Sequence, residues 1–299
     1  MRYSKRHFWA LVVSLLLWGL SFPALKVALA HNSPITILVY RYGFAFLVLL
    51  PFFIRRRKET SVLASNKMLF ILGVSNWAGS ILQFAGLQLT SASKSAVLSQ
   101  MTMVVVPILA FFVLAERLDW TKAAAIILSM VGGFALSTNL NLAGLDTGLS
   151  LKGDGLTVAA VLFWAVFVVY TRKFAQRVDL FWMLWANTSA TFALSAATAV
   201  AAHQLAIDWT GLWISFLLAV FCTVLPTILY NYSLKVVDAT ASAILGPLEA
   251  VSAVFVAMLL LHEAFRPAEI AGALLIVASA YLVDLPSYRG KNQEVRGKK

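Results

Sequence analysis

Long apolar runs, separated by short polar and basic punctuation, set the pattern of this chain. Ten runs read as membrane helices: residues 7–30, 34–54, 67–89, 94–114, 121–137, 154–170, 180–202, 211–234, 240–261 and 267–284. About 20 residues at ~1.5 Å each cross the ~30 Å hydrocarbon core of a bilayer. His31-Asn32-Ser33 and Pro34 separate the first run from the second, and Arg55-Arg56-Arg57-Lys58 stops the second. The longest connection, 139–153, carries Gly and Asn and lies at the midpoint, while the charged tail 286–299 reads as disordered. The ninth run repeats the fourth. Shifted back by 147 positions, Ala239, Ser242, Ala243, Leu245, Val251, Ala257, Leu261 and Glu263 fall on Ala92, Ser95, Ala96, Leu98, Val104, Ala110, Leu114 and Glu116. The predicted fold is therefore an all-α integral membrane protein of ten transmembrane helices in two five-helix repeats, 1–138 and 154–285. Five is odd, so the second repeat is expected to sit upside down relative to the first.

Composition agrees and narrows the picture. Hydrophobic residues make up 61% of the chain and charged ones only 12%, far from soluble proteins. The net charge of +11 does not point to nucleic acid, because the basic residues flank apolar runs and build no basic, aromatic-interleaved surface. With the N-terminus in the cytoplasm, nineteen Lys and Arg fall on the cytoplasmic side against Lys94, Lys152 and Arg266 outside. That asymmetry predicts a multi-pass protein of the cell membrane, most simply a bacterial inner membrane, with both termini cytoplasmic. Lys5, Arg6 and Ala28-Leu29-Ala30 resemble a cleaved signal peptide. The run from Phe8 is too long for a signal core, however, and the repeat requires it as a helix. Cys222 is the only cysteine, which excludes an intrachain disulfide and reads as a small buried hydrophobe.

An inverted repeat places a substrate site near the bilayer midplane, where rocking of its parts gives alternating access. The organisation thus points to a transporter. Asn76, Ser80 and Gln83 share one helix face, and the shift of 147 carries them onto Thr223, Thr227 and Tyr230. Ser95, Ser99 and Thr102 are answered by Ser242, Gly246 and Glu249; Trp18 corresponds to Trp164, and Arg41 to Asn187, at a shift of 146. Lipid penalises such groups, so they are expected to line a central path, although Ser, Thr and Gly at this spacing also serve helix packing. Glu249 is an expensive mid-span carboxylate, suited to a substrate amino group or a coupling proton. Arg41 either hooks an anionic substrate or ties helix ends together. Glu116 and Glu263 read as anchors on neighbouring helix N-termini, and Pro23, Pro107, Pro226 and Pro247 as sites of kinking. Gly-x-x-x-x-Gly-Lys is absent, and His7, His31, His203 and His262 are scattered, so neither an ATP engine, a metal nor another cofactor is expected.

These features resemble the EamA-type permeases of the drug/metabolite transporter superfamily. The residues that carry the resemblance are Trp18-Gly19-Leu20-Ser21-Phe22-Pro23, Arg41-Tyr42-Gly43-Phe44, Pro107 with Ala115-Glu116-Arg117-Leu118, and Leu245-Gly246-Pro247-Leu248-Glu249 with Leu261-His262-Glu263. It covers residues 7–285 and departs from the family pattern at Ala250, where a proline is usual. The resemblance implies a non-enzymatic carrier of amino acids, other metabolites or toxic compounds, often working outward. The expected site comprises Trp18, Trp164 and Tyr230 as aromatic walls, Ser80, Gln83 and Thr227 as hydrogen-bonding groups, Arg41, and Glu249 as binding and coupling group. The expected partners are a small-molecule substrate, the lipid bilayer and, for a coupled carrier, protons. An organic-phosphate, nucleotide-sugar or drug exchanger and a membrane-embedded lipid-modifying enzyme are the competing readings.

Overall fold

A computed structural model of the chain describes residues 4–56, 66–89, 98–99, 101–138, 150–252, 255 and 267–284, and among these every regular element is helical. The helices are α1 Lys5–Gly19, α2 Ser21–Leu29, α3 Pro34–Arg56, α4 Asn66–Leu89, α5 Thr102–Leu114, α6 Trp120–Thr138, α7 Ser150–Ala175 and α8 Leu180–Ala201. There follow α9 Trp209–Ala219, a π turn Val220–Val224, α10 Leu225–Ser233, α11 Ala239–Leu245 and α12 Pro267–Asp284. Among the described residues, five stretches are long and apolar enough to cross a membrane: Lys5–Leu29, Pro34–Arg56, Phe70–Leu89, Leu151–Ala175 and Trp209–Ser233. Thr102–Leu114, Trp120–Ala135 and Ile270–Leu282 are shorter apolar helices.

Three of the predicted runs are broken, and a proline accounts for each break. A proline offers no N–H to the carbonyl four residues back and crowds it. Pro23 acts on Gly19, where α1 ends; α2 begins two residues later, after Leu20. Pro226 acts on Cys222, inside the π turn. Pro247 acts on Ala243, and there the chain leaves α11 through Gly246, whose N–H turns back to the Ala243 carbonyl at 3.0 Å. Pro107 lies inside α5 without interrupting it.

Packing crosses between the halves throughout. α4 runs along α7, α1 along α10, α3 against α8 and α9, α5 against α7 and α11, and α6 against α12. The largest buried apolar cluster joins Leu11 and Leu15 of α1, Met68 and Leu72 of α4, Met183 of α8 and Ile244 of α11. Phe70, Phe112, Trp120 and Tyr281 are exposed on the outside of the bundle, where a lipid-facing surface is apolar. Polar residues go inward instead, with Asn187, Thr188, Thr191 and Ser195 of α8 all buried.

Candidate functional site

The helix breaks of α1 and α11 meet at close quarters. A Cβ on Gly19 would stand 2.2 Å from the Glu249 carbonyl oxygen and 1.7 Å from Ser252 Oγ, so only glycine lets these backbones approach. Ser252 Oγ donates to the Leu16 carbonyl at 3.0 Å, one turn before the α1–α2 break. Next to Gly19, the Trp18 ring packs on Tyr230 of α10 with centroids 4.9 Å apart. Tyr230 is 2% exposed, and its hydroxyl accepts from Ser242 Oγ of α11 at 2.9 Å. Glu249 is half-buried, and its backbone carbonyl faces Gly19, the residue that follows Trp18. Trp18, Tyr230 and Glu249 are thus brought together, with Gly19, Ser242 and Ser252 holding the three helices in place.

Trp164 joins this region from α7. Its indole lies against Gly79 of α4, 3.1 Å from where a Cβ would stand, and its buried Nε1 has no hydrogen-bond partner. It packs on the same apolar cluster as Trp18 and Tyr230. Ser80 and Thr227 are buried, and Gln83 is half-buried. Arg41 goes elsewhere. Its guanidinium, 8% exposed, donates from Nε to Thr223 Oγ1 and from Nη2 to the Cys222 carbonyl, each at 2.7 Å. That carbonyl is the one to which Pro226 has no N–H to offer, and Arg41 thus binds the π turn of the other half. Asn76, the residue answering Thr223, donates to Tyr42 Oη at 2.7 Å and Thr191 Oγ1 at 3.0 Å.

The two ends of the bundle are tied by different groups. At one end Asn32 and Asp208 clasp each other. Asn32 Nδ2 donates to Asp208 Oδ1 at 2.6 Å, and the Asp208 N–H donates back to Asn32 Oδ1 at 3.1 Å. The Asn32 bond, together with one from the Gly211 N–H, holds the Asp208 carboxyl below the usual carboxylate range. A cavity of about 580 Å³ opens beside this clasp, lined by His31, Asn32, Ala85, Gln88 and Gln204 among others. None of the eight sequence-predicted site residues lines it.

At the other end, Glu116 accepts from the N–H groups of Ala239 and Thr240 at 2.9 and 3.1 Å and from Thr240 Oγ1 at 2.9 Å. It anchors the α11 N-terminus, as the sequence suggested; Glu263, predicted to do likewise, lies outside the described residues. Lys122, only 2% exposed, pairs with Asp238 at 3.0 Å, and Asp238 Oδ1 caps α11 through the Ala241 N–H at 2.7 Å. Sequence reasoning missed Gly19, Ser252 and the Lys122–Asp238 pair. The last carried a usable signal, since an Asp immediately before an apolar run is an N-cap.

Comparison with known proteins agrees with this architecture. The EamA-like transporter family matches the chain twice, over residues 5–138 and 151–284. A probable amino-acid metabolite efflux pump of Salmonella typhimurium is 27% identical over 93% of this chain and 94% of its own length. The uncharacterized transporter YvbV of Bacillus subtilis is 28% identical over 91% and 89% of the two chains. An uncharacterized transporter of Archaeoglobus fulgidus is 25% identical over 90% and 83%. A solved crystal structure superposes with a TM-score of 0.82 at 18% identity, covering 97% of this chain and 98% of the other, so the fold is shared. With its apolar helices and two family matches spanning most of its length, the chain is a multi-pass membrane protein that belongs to the EamA-like transporter family.

Proposed function

We propose that this protein is a secondary-active carrier of small metabolites, amino acids or related compounds, working outward by alternating access. The reading places ten helices in two inverted five-helix repeats in a bacterial inner membrane, with both termini cytoplasmic. Helix pairing supports it. The α4–α7 pair has its counterpart in α10–α1 when the halves are exchanged, and α3–α8, α5–α11 and α6–α12 pair equivalent helices. The observation that carries the substrate class is the division of charge. Glu249 packs against Gly19 where the helices break, next to the Trp18–Tyr230 pair, whereas Arg41 is engaged by Cys222 and Thr223. A carboxyl beside aromatic faces suits an amino group. An organic phosphate or nucleotide sugar needs a cation, and among the described residues the buried Arg41 and Lys122 are both tied into the fold. The Salmonella relative's name, an amino-acid metabolite efflux pump, supports the same class.

Trp18, Trp164 and Tyr230 supply the walls, Ser80, Gln83 and Thr227 the hydrogen bonds, and Glu249 the contact to the amino group and the coupling proton. The test is counterflow in proteoliposomes preloaded with pooled amino acids, with and without a pH gradient. Saturable exchange of one or a few amino acids is expected, accelerated by the gradient. Glu249→Gln should lose the acceleration and keep exchange. Unchanged pH dependence in that variant rejects the proton role, and no flux of any amino acid rejects the substrate class.

A further inference from the structure

The two ends of the bundle differ in kind. The Lys122–Asp238 ion pair joins the start of α6, in the first half, to the cap of α11, in the second, at 3.0 Å with Lys122 2% exposed. Glu116 adds three bonds to the same helix start. The repeat does not reproduce this pair, because 147 positions away Lys122 becomes Glu269 and Asp238 becomes Ser91. The cavity lies at the opposite end. Asp208, in the clasp beside the cavity, immediately precedes the spanning stretch Trp209–Ser233, and Asp238 follows it, so roughly 37 Å of helix separates the two. Among the described residues, the ion pair and the cavity therefore lie at opposite ends of the bundle.

We propose that the Lys122–Asp238 pair, backed by Glu116, is a one-ended latch that holds the α5–α6 turn against the start of α11 and makes closure of this end the resting state. The inference rests on the alternating-access reading above. Its physical basis is the desolvation of paired charges. A largely buried ion pair, here with Lys122 2% and Asp238 14% exposed, is costly to break in place but close to neutral to exchange for two hydrated ions. The latch thus opens readily when water enters with it and resists opening otherwise. Removing the Asp238 charge leaves the Lys122 ammonium, 2% exposed, buried without its counter-ion in the closed state only, which shifts the balance toward the open one.

The test uses the full chain with Cys222→Ser, carrying one reporter thiol at Val237→Cys, buried beside the latch, or at Ala85→Cys, on the cavity wall. Labelling by a membrane-impermeant maleimide is followed in detergent micelles. Asp238→Asn keeps the capping oxygen and removes the charge. It is expected to speed labelling at position 237 roughly tenfold or more and to slow it at position 85. Lys122→Met, run in parallel, should give the same reciprocal shift, and it decides the matter if Asp238→Asn does not fold. Unchanged rates, or faster labelling at both positions as in a loosened fold, overturn the latch. Counterflow on the same variants separates the two readings. Amino-acid exchange with unchanged labelling rejects the latch alone. A reciprocal shift without flux of any amino acid supports the latch and rejects the substrate class alone.

Discussion

If Arg41 serves the π turn rather than a substrate, replacing it should damage the fold in proportion to what Pro226 withholds. In Arg41→Met, the Cys222 carbonyl and Thr223 Oγ1 lose their 2.7 Å donors inside the bundle. Thr223 retains its own bond to the Leu218 carbonyl at 2.9 Å, so the Cys222 carbonyl is left worse off. Bonds to a charged group contribute about 1.5–3 kcal/mol each, so losing the two costs about 3–6 kcal/mol, a figure that already contains the cost of stranding the acceptor. For a chain of this size the midpoint of thermal unfolding should fall by about 6 °C or more. Pro226→Ala restores an N–H one turn after Cys222. In that background Arg41→Met should cost about 1–2 kcal/mol less, because the carbonyl regains a donor. The assay is a double-mutant cycle on the detergent-solubilised protein, followed by intrinsic fluorescence. Strict additivity would refute the argument that Arg41 compensates for the proline. So would a normal midpoint in Arg41→Met combined with lost counterflow, which would return Arg41 to the substrate.

Two further outcomes follow from the geometry. Gly19→Ala drives a methyl into the Glu249 carbonyl and Ser252 Oγ, a contact that backbone cannot yield cheaply, so the variant should lose about 1–3 kcal/mol or more and show reduced counterflow; a wild-type midpoint and flux would refute the close contact. The Asp208 carboxyl is depressed in the fold by Asn32 and Gly211, so its stabilisation is present above the unfolded carboxyl range near ~3.9 and is lost as pH falls through the lower folded value. The thermal midpoint of the wild type should therefore drop on acidification below about pH 4 more steeply than that of Asp208→Asn, and parallel profiles would count against the clasp.

Much of the helix content was legible in the sequence because each run is apolar and bounded by charge or turn residues. The tenth run matches α12 at both ends, and the seventh matches α8 to within one residue. The first and ninth runs read as continuous, yet Pro23 and Pro247 interrupt them, and the severity of a proline depends on what its neighbours can satisfy. Pro107 shows the contrast, since α5 passes through it. Of the site, Trp18, Tyr230 and Glu249 were placed on related faces by spacing alone, and their meeting is a tertiary fact. Arg41 was ambiguous for a clear reason: its partners, Cys222 and Thr223, lie more than 180 positions away. Lys122 was counted among the basic residues flanking the spans, and its burial depends on Asp238, which sequence position does not reveal.

The Lys122–Asp238 pair also imposes an order on biosynthesis. The two residues are 116 positions apart, and Glu116 must wait 123 positions for Ala239. At about 5–20 residues per second, roughly 6–23 seconds separate the emergence of Lys122 from that of its counter-ion. Throughout that interval the newly inserted first half carries a lysine and a glutamate whose partners have not yet been made. These side chains must stay wet at the membrane surface until the second half arrives, so the charged end of the bundle can seal only late in the assembly of the protein.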